Sequence, residues 1–249
     1  MDAQNDLTNW ISSIPKITRW WFFAFFIVPL TTRLGLLDPM SLVLISEPIF
    51  SGFQVWRLVT CLLWHPVNFR WLMLLYFLYS YSTRLETGYF AGKPADYVFM
   101  LLFNCLCLVI VGVFMGLFIL SSALVFSSLY IWCQINRDVI VQFWFGVKVK
   151  AMYFPWVLFL FFFILGADWV AMLLGIVVGH LYFFLTMKYP QEFGGRKLIS
   201  TPQFLYRYFP NEVQTGGFGV PPVRRGGQAG GGGGGGGGHT WGGGRRLDG

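Results

Sequence analysis

The order of apolar and polar positions divides the chain into long greasy runs separated by short polar stretches. Leu7, Trp10, Ile11 and Ile14 fall at i, i+3, i+4 and i+7, one apolar face of a helix that Pro15 should end. Lys16 and Arg19 follow, so residues 1–19 are expected to lie as an amphipathic helix in the cytosolic interface. A first span is expected from Trp20 to Leu37, with Arg33 near enough to its end to snorkel to water. Residues 38–68 mix Pro39, Pro48, Gly52, His65 and Pro66 with Phe53, Trp56 and Leu58. A loop that apolar should lie partly embedded beside the bundle. A second span is expected over Phe69–Tyr81, short enough to borrow flanking residues, and Ser82–Asp96 carries the next charges.

From Tyr97 to Asn136 no residue is charged. One helix through all of it would reach about 60 Å, twice the roughly 30 Å of bilayer hydrocarbon. It must fold back, and Gly112, Gly116, Ser121 and Ser122 supply the turn chemistry between spans three and four. Arg137–Lys150 forms a polar link. Ala151–Met187 then repeats the pattern with Asp168 as its lone charge, so spans five and six should turn at Gly166-Ala167-Asp168. The expected fold class is an all-α polytopic membrane protein, with residues 20–189 forming a six-span helical domain. From residue 190 to 249 the chain changes character. Nine unbroken glycines, Gly230–Gly238, can bury nothing, so this stretch is expected to be a disordered tether.

Composition agrees with lipid as the solvent. Hydrophobic residues make up 55% of the 249 and charged ones 12%, half of the roughly 25% that a soluble domain uses to cover its surface. The formal charge of +7 does not require nucleic acid as a partner, because the positives follow topology. Lys16, Arg19, Arg84, Lys93, Arg137, Lys148, Lys150 and Lys188 fall on the side of the termini, against Arg33, Arg57 and Arg70 on the other, which makes the termini cytosolic. Cys105 and Cys107 sit in a hydrophobic run and read as buried thiols, with Cys61 and Cys133 equally remote from a metal or disulfide pattern. No metal site or cofactor is expected.

Four groups of residues carry candidate chemistry. Trp56-Arg57 places a guanidinium in an embedded loop, where it either bonds the loop's own carbonyls or snorkels beside an interfacial Trp. Gly175 and Gly179 lie one turn apart and admit a close helix neighbour. His180 beside them is an intramembrane ionisable group: a neutral ring bonded to a neighbouring polar side chain, or half of a dyad with Ser121 or Ser122. Gln134, Asn136, Arg137 and Asp138 form either a polar helix end with a local Arg137–Asp138 pair or a cytosolic entry for a substrate. At the far end, Trp241-Gly-Gly-Gly-Arg-Arg-Leu247 spaces two apolar anchors on a tether, the way short peptides dock a partner.

Several stretches together resemble the Derlin family of endoplasmic-reticulum-associated degradation: Ser-Ile-Pro-Lys-Ile-Thr-Arg ending at Arg19, Tyr81–Gly88, Ala95–Asn104, Gln134–Asp138, Gly179–Phe184 and Ser200–Tyr206. The resemblance implies a rhomboid-like bundle that is a pseudoprotease, with Trp56-Arg57 as a loop motif and Gly175/Gly179 packing the last span. It implies that Trp241, Gly242, Gly244 and Leu247 form a box that binds the cytosolic AAA unfoldase valosin-containing protein. A ubiquitin ligase complex, misfolded substrates, membrane lipid and homo- or hetero-oligomerisation are implied as partners. Active rhomboids pair a G-x-S serine with a histidine in the last span. No G-x-S occurs in this chain, which disfavours the alternative of an active intramembrane serine protease.

Overall fold

The structure is a computed structural model, and it describes residues 2–143, 146–192 and 198–211. It is mostly helical. The chain begins with α1 (Asp2–Ser13), which stops before Pro15, and Pro15 then N-caps α2 (Lys16–Arg33). Residues 34–68 are not a featureless loop. They fold into α3 (Ser46–Gly52) and α4 (Arg57–Leu63). Next come α5 (Phe69–Arg84), α6 (Pro94–Met115) and α7 (Ser121–Ile135). A two-stranded antiparallel hairpin, β1 (Ile140–Gln142) with β2 (Lys148–Lys150), pairs Val141 with Val149 and is a small departure from an all-α chain. Then follow α8 (Phe154–Ile164), α9 (Trp169–Phe183), α10 (Tyr189–Glu192) and α11 (Gln203–Tyr208).

The helix ends obey local chemistry. Asn68 caps α5 by accepting from the Trp71 amide, and Asp168 caps α9 by accepting from Val170 and Ala171. Gly116, at φ +67°, closes α6 in the left-handed conformation that favours glycine. The expected second span ended at Tyr81, but α5 continues to Arg84 and runs into a π turn over Leu85–Tyr89. Polar residues in this stretch did not end the helix, because Ser82 and Glu86 find partners on neighbouring helices.

Side chains sort the helices by depth. Every residue of α7 from Ser121 to Cys133 is buried, so α7 is the centre of the bundle. α6 buries Tyr97, Met100, Asn104, Leu108 and Gly112 on one stripe. On the opposite stripe it exposes Leu102, Leu106, Ile110 and Phe114, the last at 86%. A helix apolar on both faces suits lipid and not water. Pro94–Met115 and the continuous run Trp169–Glu192 are long and apolar enough to cross a membrane, whereas Ser121–Ile135 and Ala151–Ile164 are apolar but shorter.

Hydrogen bonds gather the connectors at two opposite ends of the bundle. At one end the Leu44 amide donates to Phe118 O, Leu120 to Cys61 O, and Arg70 Nη1 to Gly166 O. At the other, Glu86 accepts from the Ile17 and Thr18 amides at 3.0 and 2.7 Å, so a carboxylate on the π turn caps α2 from a distance. There too Thr18 Oγ1, Ser82 Oγ and Tyr97 OH form a buried relay joining α2, α5 and α6. The segment expected to open the tail is partly folded. Leu205 of α11 is buried, and Asp96 at the start of α6 accepts from Thr201 Oγ1 at 2.6 Å and Tyr206 OH at 2.8 Å.

Candidate functional site

The Trp56-Arg57 pair is a brace. Arg57 is 6% exposed. Its Nη1 donates to the carbonyls of Met40 and Val43 at 2.5 and 3.0 Å, and its Nε to Gln54 Oε1 at 2.6 Å. Thr60 Oγ1 donates to Leu42 O, and Trp56 Nε1 reaches Ser41 O at 3.3 Å. One guanidinium thereby satisfies carbonyls that would otherwise be stranded in an apolar setting. Of the two sequence readings, the bracing one is what the chain does. Trp56 stays half exposed.

The glycine seam joins α9 to the central helix. A Cβ on Gly175 would strike the backbone of Ala123, and one on Gly179 would lie 2.7 Å from Ser127 O. No side chain larger than hydrogen fits either place, so the two backbones touch.

His180 sits beside this seam and takes Tyr130: the Tyr130 hydroxyl lies 2.8 Å from its Nδ1. Ser121 is occupied elsewhere, with its Oγ 3.1 Å from Nδ1 of His65. The dyad considered between His180 and Ser121 or Ser122 is therefore not formed: among the described residues no hydrogen bond joins His180 to either serine. The seam's register, Ala123 against Gly175 and Ser127 against Gly179, sets His180 about two turns along α7 from Ser121.

At the end of α7 the expected Arg137–Asp138 pair is replaced. Asp138 lies 3.8 Å from Lys150 across the hairpin, both well exposed. Arg137 stacks over the Phe183 ring at 5.5 Å, and its Nε donates to Gln134 O. Asn136 Nδ2 bonds Trp132 O. These contacts close the helix end. Cys105 and Cys107, expected to be buried, are half-buried, while Cys61 and Cys133 are fully buried; all four are free thiols. Trp241, Gly242, Gly244 and Leu247 lie outside the described residues, as does the glycine run.

A cavity of about 210 Å³, lined by His65, Arg70, Ser122 and Asp168 among others, opens at the end of the bundle that carries the Arg57 loop. Sequence reasoning did not single out His65 or Arg70. They stand in a Pro-containing connector and a helix start, and nothing local marks them as neighbours of Ser121 or Gly166, which lie 56 and 96 residues away. Nor were Glu86 and Asp96 picked out, although both fall within stretches that carried the family resemblance.

Comparison with known proteins agrees with these features. The model of the "Der1-like family" matches residues 14–203. The chain is 51% identical to Derlin-1 of Homo sapiens over 224 residues, covering 88% of this chain and 89% of the relative. It is 44% identical to Derlin-1 of Caenorhabditis elegans over 211 residues, covering 83% and 86% respectively. It is 32% identical to a probable derlin-1 homolog of Dictyostelium discoideum over 227 residues, covering 88% and 93%. With a family model spanning the bundle and relatives aligned over nearly their whole length, the chain belongs to the Der1-like family.

Proposed function

We propose that this chain is a non-enzymatic component of endoplasmic-reticulum-associated degradation that helps misfolded lumenal and membrane proteins cross to a cytosolic AAA unfoldase. Family membership supports the pathway. The observation that carries the mechanism is the shortness of an outward-facing helix. The apolar helical run Ala151–Ile164, which exposes Trp156, Leu160, Phe163 and Ile164, is only about 21 Å long, beside the 22 residues and about 33 Å of α6. Hydrocarbon of roughly 30 Å has to thin around such a bundle. A thinner barrier lowers the cost of moving peptide groups, each of which loses several kcal/mol of hydration in hydrocarbon.

In this reading α2, α5, α6, α7, α8 and α9 cross the endoplasmic reticulum membrane, with both termini in the cytosol. The Arg57 loop and the His65 cavity then face the lumen, and Asp96 with α11 faces the cytosol. Trp241 and Leu247, with Gly242 and Gly244 between them, dock the unfoldase (valosin-containing protein), which supplies the pulling force. A ubiquitin ligase complex and further copies of the chain or its relatives complete the assembly. Full-length Trp241→Ala in membranes is expected to lose unfoldase pull-down by at least about tenfold, as removing an aromatic anchor does. Unchanged pull-down would overturn the tail assignment.

The protease alternative has little to stand on. It needs His180 as the base for Ser121 or Ser122, but both serines are buried, the Ser121 hydroxyl meets His65, and His180 meets Tyr130. A serine without a base in hydrogen-bond reach is not an activated nucleophile.

A further inference from the structure

A polar strip runs along the outside of the α7–α9 contact, and neither the brace nor the glycine seam uses it. α9 opens the continuous apolar run Trp169–Glu192, and His180 stands about 17 and 18 Å from the two ends of that run at 1.5 Å per residue. In the crossing proposed above it therefore lies near the middle of the bilayer. Its ring is exposed, on the same outward stripe of α9 as Val177 and Leu181. Tyr130 meets Nδ1, and Nε2 has no hydrogen-bond partner among the described residues. Tyr130, Gln134 and Arg137 follow at i, i+4 and i+7, which places them on one face of the chain leaving α7. Contacts at both ends of this row turn the face toward α9, with Tyr130 on His180 and Arg137 over the Phe183 ring. The closure of the helix end takes only the backbone oxygen of Gln134. Its carboxamide has no partner among the described residues, and the side chain is half-buried and not sealed from its surroundings.

Two accessible hydrogen-bonding groups thus sit one above the other on a surface that meets hydrocarbon. Water would satisfy them on a soluble protein, but at mid-depth no water is at hand and an unmet polar group is costly. Lipid does not supply the partner, because acyl chains carry no hydrogen-bonding atom and headgroups lie about 15 Å away. A second copy packed symmetrically brings Nε2 of His180 to its own like atom, and two like atoms do not pair, whichever tautomer the ring takes. In a head-to-tail contact, the outward stripe of α6 offers only Leu102, Leu106, Ile110 and Phe114. A carboxamide on a foreign helix fits. It donates and accepts, so it satisfies either tautomer of His180 and the Gln134 side chain as well.

We infer that the His180–Gln134 strip docks transmembrane helices of other proteins that carry an Asn or Gln side chain at mid-depth. This inference rests on the membrane crossing of α9 proposed above and names a substrate class for that reading. In a correctly assembled membrane protein such a carboxamide is turned inward and bonded to a neighbouring helix. In a misassembled one it faces lipid, where His180 and Gln134 offer it the partner it has lost. Val177 and Leu181 supply the apolar surface against which the rest of the docked helix packs.

The test reconstitutes the full chain in phosphatidylcholine vesicles with a dansyl-labelled transmembrane peptide of about 23 residues, built of Leu and Ala between flanking lysines. One version carries a central Asn and the other a central Leu. Association is read as energy transfer from the tryptophans of the chain to dansyl, at a peptide fraction too low for the peptide to pair with itself. The Asn peptide is expected to associate about fivefold more than the Leu peptide, the worth of one interhelical hydrogen bond. His180→Leu is expected to remove that excess and Gln134→Leu to reduce it about twofold. The Leu peptide gives the baseline for each chain, and Gln134→Leu deletes a side chain that no hydrogen bond of the fold uses. Equal association of the two peptides with the unmodified chain overturns the proposal without recourse to any variant. So does an excess that survives the two substitutions combined. If the chain forms dimers in these vesicles and His180→Leu separates them while the Asn peptide shows no excess, the strip is a self-interface and the assignment is wrong. No readout involves the tail or the unfoldase, so a failure here and a failure of the tail assignment are distinguishable.

Discussion

Glycine positions show how much one hydrogen atom decides in this bundle. A Cβ at Gly179 would lie 2.7 Å from Ser127 O, which is backbone and cannot move without shifting α7. At Gly112 the nearest atom, Leu120 Cδ1, is also at 2.7 Å, but it is the tip of a side chain that can change rotamer. The same distance therefore predicts different costs. Gly179→Ala is expected to destabilise the detergent-solubilised chain by about 3 kcal/mol, the upper range for overpacking, and Gly112→Ala by about 1 kcal/mol or less. Thermal unfolding followed by cysteine accessibility at buried Cys133 measures both, and equal losses would contradict the seam geometry. Arg57 makes the matching point for a polar residue. Its three hydrogen bonds turn a costly buried charge into the fastener of residues 40–43.

Among the elements, α11 is the piece that sequence reasoning placed wrongly, inside a tether. It has six residues, too few to be stable alone. It is held by Leu205 in a buried position and by one carboxylate oxygen of Asp96 that accepts from both Thr201 and Tyr206. α11 therefore fastens the chain after α10 back onto the start of α6. Asp96→Ala removes both bonds and is expected to raise amide hydrogen exchange over residues 203–208 at least about tenfold, the effect of losing 1–2 kcal/mol of local stability. Exchange in α7 should not change. If α11 remains as protected as before, Leu205 alone holds it.

For the whole molecule, the two ends of the bundle carry different chemistry. The end with α1 and α11 holds the Glu86 cap, the Thr18–Ser82–Tyr97 relay and the Asp96 clasp. The opposite end holds the Arg57 brace and the His65 cavity. If the chain makes the six crossings proposed above, single cysteines at Leu165 and at Tyr208 report opposite sides. In sealed microsomes a membrane-impermeant maleimide is expected to label Tyr208→Cys from outside and Leu165→Cys only after the membrane is opened. Labelling of both before permeabilisation would break the topology and with it the placement of every site in the two compartments.

Much of this plan was legible from residue order. Uncharged runs too long for one crossing required the turns now seen at Gly116 and Gly166, and the paired glycines foretold the α9 contact. An arginine beside Trp56 announced a need for acceptors, though not which ones. These features depend on length, charge and the size of one side chain, all of which are local. The pairings Ser121–His65, Tyr130–His180, Thr18–Glu86 and Thr201–Asp96 join residues 50 to 105 positions apart. In a soluble helix the apolar stripe shows which face turns inward. Here α6 is apolar on both faces, so hydrophobic periodicity does not say which neighbour a polar side chain will meet. The amino-acid order by itself determined that the chain must make a bundle of apolar helices with turns at these places. Only tertiary packing decided which lone polar groups became partners, because in a uniformly apolar bundle the choice rests on helix rotation and close backbone approach and not on any local pattern.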